Sequence, residues 1–158
     1  ESEREREIYP NVRVLVVDDV AMNRKMMIRL VKERWREICE AEDGERAIER
    51  VREAHLEGRP YGLILMDYQM PRMNGPEAAR IMRERERVTC PIIGVTGNGV
   101  PSDIQYFKDH GADAVIIKPM RLSILLDTLE KITNTSQREI EREREKQIEV
   151  IEREREKE

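Results

Sequence analysis

The sequence predicts a doubly wound α/β fold of five βα units, a central five-stranded parallel sheet in a three-layer sandwich. Short apolar runs alternate with stretches of helical spacing along most of the chain. Apart from a short, weak second run, they are continuously apolar instead of alternating, as expected for strands covered on both faces. Four of them also end in polar groups of related chemistry: Asp18 and Asp19, Asp67, Thr96 and Lys118. In open α/β sheets ligands gather at the carboxyl ends of the strands, so fold and polar placement agree.

The first strand is read at Val12 to Val17 and the second, shorter, around Ile38 to Ala41. Leu63 to Met66, Ile92 to Val95 and Ala114 to Ile117 complete the set. Between them, Met22, Met26, Met27 and Leu30 recur at helical spacing, as do Ala47, Ile48, Val51 and His55. Ala78, Ile81 and Met82 mark a third helix, Ile104 and Phe107 a fourth, and Leu122, Leu125, Leu129 and Ile132 a fifth. Pro76 suits a first helical turn, and Gly111 suits the residue that closes the fourth helix.

Charged residues make up 39% of the 158 residues, well above the roughly 25% of an ordinary globular chain. The net charge is only -4, so the excess is paired charge and no nucleic-acid-binding face is expected from composition. Much of the excess lies in ESEREREI at the start and REIEREREKQIEVIEREREKE at the end, while Ile8 to Ser136 carries equal numbers of acids and bases. The expected division is a charged arm over 1–11, a domain over 12–133 and a charged, helical extension over 134–158, hinged at Thr133 to Ser136.

Alternating Glu and Arg in that extension shows no sustained apolar heptad, so a solvated helix is favoured over a dimerising or signal-transmitting one. A weak homodimer stays open. With no long apolar run and no signal peptide, a soluble cytoplasmic chain without a membrane segment is expected, and the initial glutamate suggests an excised or engineered fragment. Cys39 and Cys90 form no CxxC motif and no disulfide framework is expected. His55 and His110 lack metal-ligand spacing and are read as surface or capping residues. Trp35 and Tyr61 are expected to pack the sheet edge near the second strand.

Three carboxylates at neighbouring strand ends repel one another and call for a cation. Oxygen ligands without His or Cys favour a hard ion, and Mg²⁺ fits because it takes one or two carboxylates and shares itself with a phosphoryl group. A carboxylate can also be the nucleophile that forms an acyl phosphate, while Lys118 and the Thr96 hydroxyl suit phosphoryl oxygens.

From about Val12 to Ile132 the chain resembles the receiver domain of two-component response regulators and hybrid histidine kinases. The resemblance rests on VLVVDD with MNR after it, EAEDGERAI, LILMDYQMPRMNG, PIIGVTGN and HGADAVIIKPM. It implies a flavodoxin-like strand order 2-1-3-4-5. It further implies Asp67 as phosphoacceptor, Asp18, Asp19 and Asp67 with the Gln69 backbone carbonyl as Mg²⁺ ligands, Thr96 as switch hydroxyl and Lys118 as phosphoryl partner, followed by Pro119 after an often cis bond.

The implied donor is a histidine kinase or a histidine phosphotransfer domain, and the MNR and MPRMNG motifs look most like receivers attached to hybrid kinases. The implied activity is that of a phosphoacceptor module that assists its own phosphorylation and dephosphorylation, not of a turnover enzyme. An interaction module independent of phosphorylation is the alternative, and an aspartate-nucleophile phosphatase a weaker one, since Gln69 cannot protonate a leaving group. Val115 stands where the family often has an aromatic residue that swings inward on activation, Gly97 replaces a common alanine, and Gln69 and Asn98 place neutral amides beside the acceptor. Of the eight methionines, those on the first helix are assigned to the core, and Met70 and Met73, which flank the acceptor loop, are expected to face a partner.

Overall fold

A computed structural model describes residues 8–157. Five strands and five helices alternate along it: β1 Tyr9–Val17, α1 Ala21–Val31, β2 Trp35–Ala41, α2 Gly44–Leu56, β3 Leu63–Asp67, α3 Gly75–Glu84, β4 Ile92–Thr96, α4 Pro101–Asp109, β5 Ala114–Ile117 and α5 Leu122–Glu156. All strand pairings are parallel and their order is β2-β1-β3-β4-β5, as the resemblance implied.

Because successive side chains of a strand point to opposite faces, the apolar runs feed two separate cores. Leu15, Val17, Ile64, Met66 and Ile92 join one buried cluster with Ala47 and Val51 of α2, Ala78 and Met82 of α3 and Phe107 of α4. Val14, Val16, Leu65 and Ile93 alternate with these and are fully buried on the other face, where Met27 and Val31 of α1 are also buried. Continuous hydrophobicity in the sequence thus reflects two covered faces.

Local chemistry sets the helix starts. The Asp43 side chain accepts from Arg46 N at 2.7 Å at the start of α2. Asn74 and Glu77 form a reciprocal capping box on α3, with proline in the first turn, satisfying amide donors that the helix itself cannot pair. His110 closes α4 with its Nδ1 2.8 Å from the Tyr106 carbonyl, and Gly111 follows at φ +121°. His55 is exposed in the last turn of α2.

Several boundaries differ from expectation. β1 starts at Tyr9, so residues 9–11 belong to the sheet, and of the expected N-terminal arm residues 1–7 lie outside the described residues. β2 starts at Trp35, whose buried ring stacks on Tyr9 with centroids 5.1 Å apart. Arg13 lies over the buried Tyr61 ring at 4.9 Å. These aromatics extend the edge pair beyond the obvious apolar run. No hinge interrupts α5 at Thr133 to Ser136: the Thr133 and Thr135 hydroxyls donate to the Leu129 and Lys131 carbonyls at 3.0 and 2.9 Å within an unbroken helix. The chain divides into two compact units, Glu1–Leu125 and Leu126–Glu158.

Met27 is buried as expected, but four other methionines reverse their expected roles. Met22 and Met26 are 71% and 63% exposed, whereas Met70 is buried and Met73 packs against the core cluster. Helical spacing identifies a shared face without saying which side of it turns inward, and α1 buries Met27 and Val31. Cys39 and Cys90 are free thiols, and burial pushes the Cys90 thiol up to about 11. Among the described residues, no helix is long and apolar enough to cross a membrane.

These burials predict unequal costs of truncation. Phe107→Ala removes a fully buried ring and is expected to lower unfolding free energy by about 3–5 kcal/mol, while Met22→Ala and Met26→Ala stay within about 0.5 kcal/mol. Urea denaturation followed by circular dichroism measures the difference.

Candidate functional site

Strand register assembles the polar residues. Val17 is level with Met66, which carries Asp18 to the side of Asp67. Asp67 is level with Val95, and Thr96 with Ile117, so Thr96 and Lys118 follow one residue further along β4 and β5. A slip of one residue in any pair would send one of these side chains to the opposite face of the sheet.

Asp18, Asp19 and Asp67 each offer a carboxylate oxygen within 4.8 Å of the others. Asp18 is fully buried, Asp67 and Thr96 are nearly so, and Asp19 is exposed. Lys118 Nζ reaches Asp67 Oδ1 at 2.8 Å and Asp18 Oδ2 at 3.4 Å. One ammonium therefore bridges two of three acids, and a net negative charge remains. An all-oxygen set of this kind, open at Asp19, suits a hard divalent cation.

The loop after β1 is held from both sides. Val20 N donates to Asp18 Oδ1 at 2.8 Å, and Arg24 Nη1 donates to the Asp18 carbonyl at 2.8 Å while Arg24 Nε pairs with Glu40 at 3.0 Å. Arg24 is thus a positioning residue that the sequence reading left inside a motif without a role. The signal was its spacing, one helical turn beyond the strand-end acids. Gly75 plays the matching part after β3: its N–H donates to the Tyr68 carbonyl at 2.8 Å, and a Cβ there would lie 2.3 Å from the Asp67 carbonyl oxygen.

Thr96 is close to the acids in the fold, but its hydroxyl is turned to its own loop. It donates to the Asn98 carbonyl and accepts from Asn98 N, both at 3.1 Å, while Asn98 Oδ1 accepts from Val100 N at 3.2 Å. Gln69 and Asn98 are exposed in the loops after β3 and β4. Val115 packs against the core cluster, and the Lys118–Pro119 bond is cis. Tyr68, directly after Asp67, meets Phe107 edge-on with centroids 5.5 Å apart, a contact that motif reading did not find. Gly97 has no atom within 4 Å of the place a Cβ would occupy, so space does not require glycine there.

Desolvation raises the Asp67 pKa, Lys118 opposes that by donating to the carboxylate, and the charges of Asp18 and Asp19 add to the rise. Burial acts to lower the Lys118 pKa, but its bonds to Asp67 and the charges of Asp67 and Asp18 outweigh this and leave it raised.

The response regulator receiver domain model matches residues 14–130. The chain belongs to that family. It is 41% identical over 120 residues to the two-component response regulator ORR41 of Oryza sativa subsp. japonica, covering 73% of this chain and 91% of the relative. Against the CAI-1 autoinducer sensor kinase/phosphatase CqsS of Vibrio cholerae it is 34% identical over 117 residues, 73% of this chain but 16% of that protein. Among solved structures, the receiver domain of the histidine kinase CKI1 from Arabidopsis thaliana, complexed with Mg²⁺ and BeF₃⁻, superposes with TM-score 0.70 at 30% identity, covering 79% of this chain and 91% of that one. The receiver fold and its strand order follow from these matches and from the sheet itself.

Because the folded-state pKa of Asp67 is raised, its charge destabilises the metal-free receiver, and stability falls as pH rises from the unfolded carboxyl value through the folded one. Asp67→Asn is therefore expected to raise stability at neutral pH by on the order of 1 kcal/mol, with the gain vanishing in acid, where both side chains are neutral. Thermal melts across pH in the presence of a chelator check this. Millimolar Mg²⁺ should then raise the wild-type melting temperature and leave Asp18→Asn unmoved.

Proposed function

We propose that this receiver accepts a phosphoryl group from a phosphohistidine onto Asp67. The observation that carries the reading is the contact of Asp67 Oδ1 with Lys118 Nζ at 2.8 Å, with two further carboxylates inside the same 4.8 Å cluster. An Asp67 oxygen attacks phosphorus, the phosphorus–nitrogen bond breaks, and the imidazole nitrogen leaves with the bonding pair. Asp18, Asp19, Asp67 and the Gln69 carbonyl would hold Mg²⁺, which supplies charge neutralisation for the phosphoryl oxygens. Lys118, already seated against Asp67, neutralises another share of that charge.

Thr96 is the switch hydroxyl in this reading. It leaves its two bonds to Asn98 and turns to the phosphoryl group, which changes the loop that leads into α4. With Val115 in place of an aromatic side chain, no ring on β5 follows that movement. The chain acts as a phosphoacceptor that assists its own labelling and hydrolysis, a module shared by a response regulator matched over 91% of its length and a sensor kinase matched over 16% of its length. The phosphohistidine sits on a kinase or on a phosphotransfer domain, and the setting is the cytoplasm, without direct nucleic-acid binding.

The docking face is α1. Asn23, Met26, Met27, Leu30, Pro119 and Met120 line a groove of about 380 Å³ that ends at Lys118, so an apolar helical partner seated there would present its histidine to the acids. Met22 and Met26, both exposed, give that face its apolar surface.

Intact-mass measurement after incubation with a small phosphodonor and Mg²⁺ tests the reading. One added phosphate on the wild type and none on Asp67→Asn is expected; an unlabelled wild type under conditions that label other receivers overturns it. Met26→Glu should keep small-donor labelling and slow transfer from a phosphohistidine protein by roughly tenfold or more, since a buried charge in an apolar contact is costly.

A further inference from the structure

The unit Leu126–Glu158 contains most of a 35-residue helix whose later part exposes Ile140, Ile148, Val150 and Ile151, each about half accessible. The sequence there repeats. IEREREK occurs at residues 140–146 and again at 151–157, eleven residues apart. Eleven residues are about three turns, so the two copies fall on nearly the same face, a spacing that a search for heptads passes over.

The repeat sets a charge pattern around its apolar line. Each isoleucine is followed three residues later by a glutamate, Glu143 or Glu154, and four residues later by an arginine, Arg144 or Arg155. At about 100° per residue, the arginines lie about 40° to one side of the isoleucine line and the glutamates about 60° to the other. Gln147 lies between the two isoleucines, about 20° to the glutamate side of Ile140. Ile140, Glu143, Arg144, Gln147 and Ile148 line one shallow groove along the helix.

From this pattern we infer that α5 pairs with α5 of a second copy of this chain, parallel and in register, through Ile140, Gln147 and Ile151. In a parallel two-fold pair, the arginine flank of each helix faces the glutamate flank of the other on both sides of the seam. In an antiparallel pair, arginine would face arginine and glutamate would face glutamate. Charge therefore selects both the partner and its direction, as flanking residues do in coiled coils. Gln147 meets its own counterpart, and a polar residue in an otherwise apolar seam penalises shifted registers. The glutamate flank is available for this: the Glu143 contact with Lys146 at 3.6 Å is an exposed pair of little strength.

The pairing is independent of the phosphoacceptor reading, and small-donor labelling of Asp67 should be the same in every variant below. Sedimentation equilibrium of the full chain up to millimolar protein is expected to show a reversible dimer. The double variant I140E/I151E should weaken it by roughly tenfold or more, with the receiver's thermal transition unchanged. Because added charge could also fray the helix, two charge variants give a second arm. R144E/R155E and E143R/E154R should each dimerise more weakly than wild type, and their mixture should recover a heterodimer.

Direction is read separately. S136C should form a disulfide-linked dimer on mild oxidation, with wild type as control for Cys39 and Cys90. A chain that stays monomeric, a dimer indifferent to I140E/I151E, or crosslinking seen only between S136C and R155C would overturn the proposal.

Discussion

Three carboxylates held within 4.8 Å of one another at the edge of a buried sheet are the constraint on which the receiver depends. At an effective dielectric near 20, two such charges about 4 Å apart repel by about 4 kcal/mol. The fold brings them together nonetheless, because parallel pairing of β1 with β3 fixes Val17 opposite Met66 and leaves the acids no other place. Lys118 relieves part of the strain by bridging Asp67 and Asp18, and the Asp67 pKa stays raised, first by burial and then by the charges of Asp18 and Asp19. The site is thus built to gain from an added cation or from a change in its own charge.

The bonds around that arrangement differ from one side to the other. Arg24 and the Val20 amide fix the Asp18 loop, and Gly75 lets the chain leave Asp67 at a separation no side chain would allow. Beyond β4 the hold on side chains is lighter: the Thr96 hydroxyl bonds to Asn98, and a Cβ at Gly97 would meet no atom within 4 Å. Tyr68, next to Asp67 and edge-on to Phe107, joins the end of β3 to α4.

Much of the fold and site was legible because four of the five strands ran apolar to their ends and stopped at a group of distinct chemistry. Asp18, Asp67, Thr96 and Lys118 could be found that way. What misled was periodicity without direction. The α1 stripe contains two exposed methionines and one buried one, and Met70, in a loop, is buried. Polar strand starts were also missed, since Tyr9 and Trp35 pair across β1 and β2 and stack their rings outside any apolar run. The same blindness hid the eleven-residue repeat of α5 behind a search for sevens.

By itself, then, the sequence determined the number and order of βα units, the strand-end acids, the hydroxyl and the lysine, because these depend on local pattern and residue type. Only the tertiary structure decided which face of α1 meets the sheet, that the Thr96 hydroxyl turns to Asn98 instead of to the acids, and that Lys118 touches both Asp67 and Asp18. Those outcomes depend on the register of strands distant in sequence and on competition for hydrogen-bond partners in a buried space. Neither is written in the neighbours of any one residue.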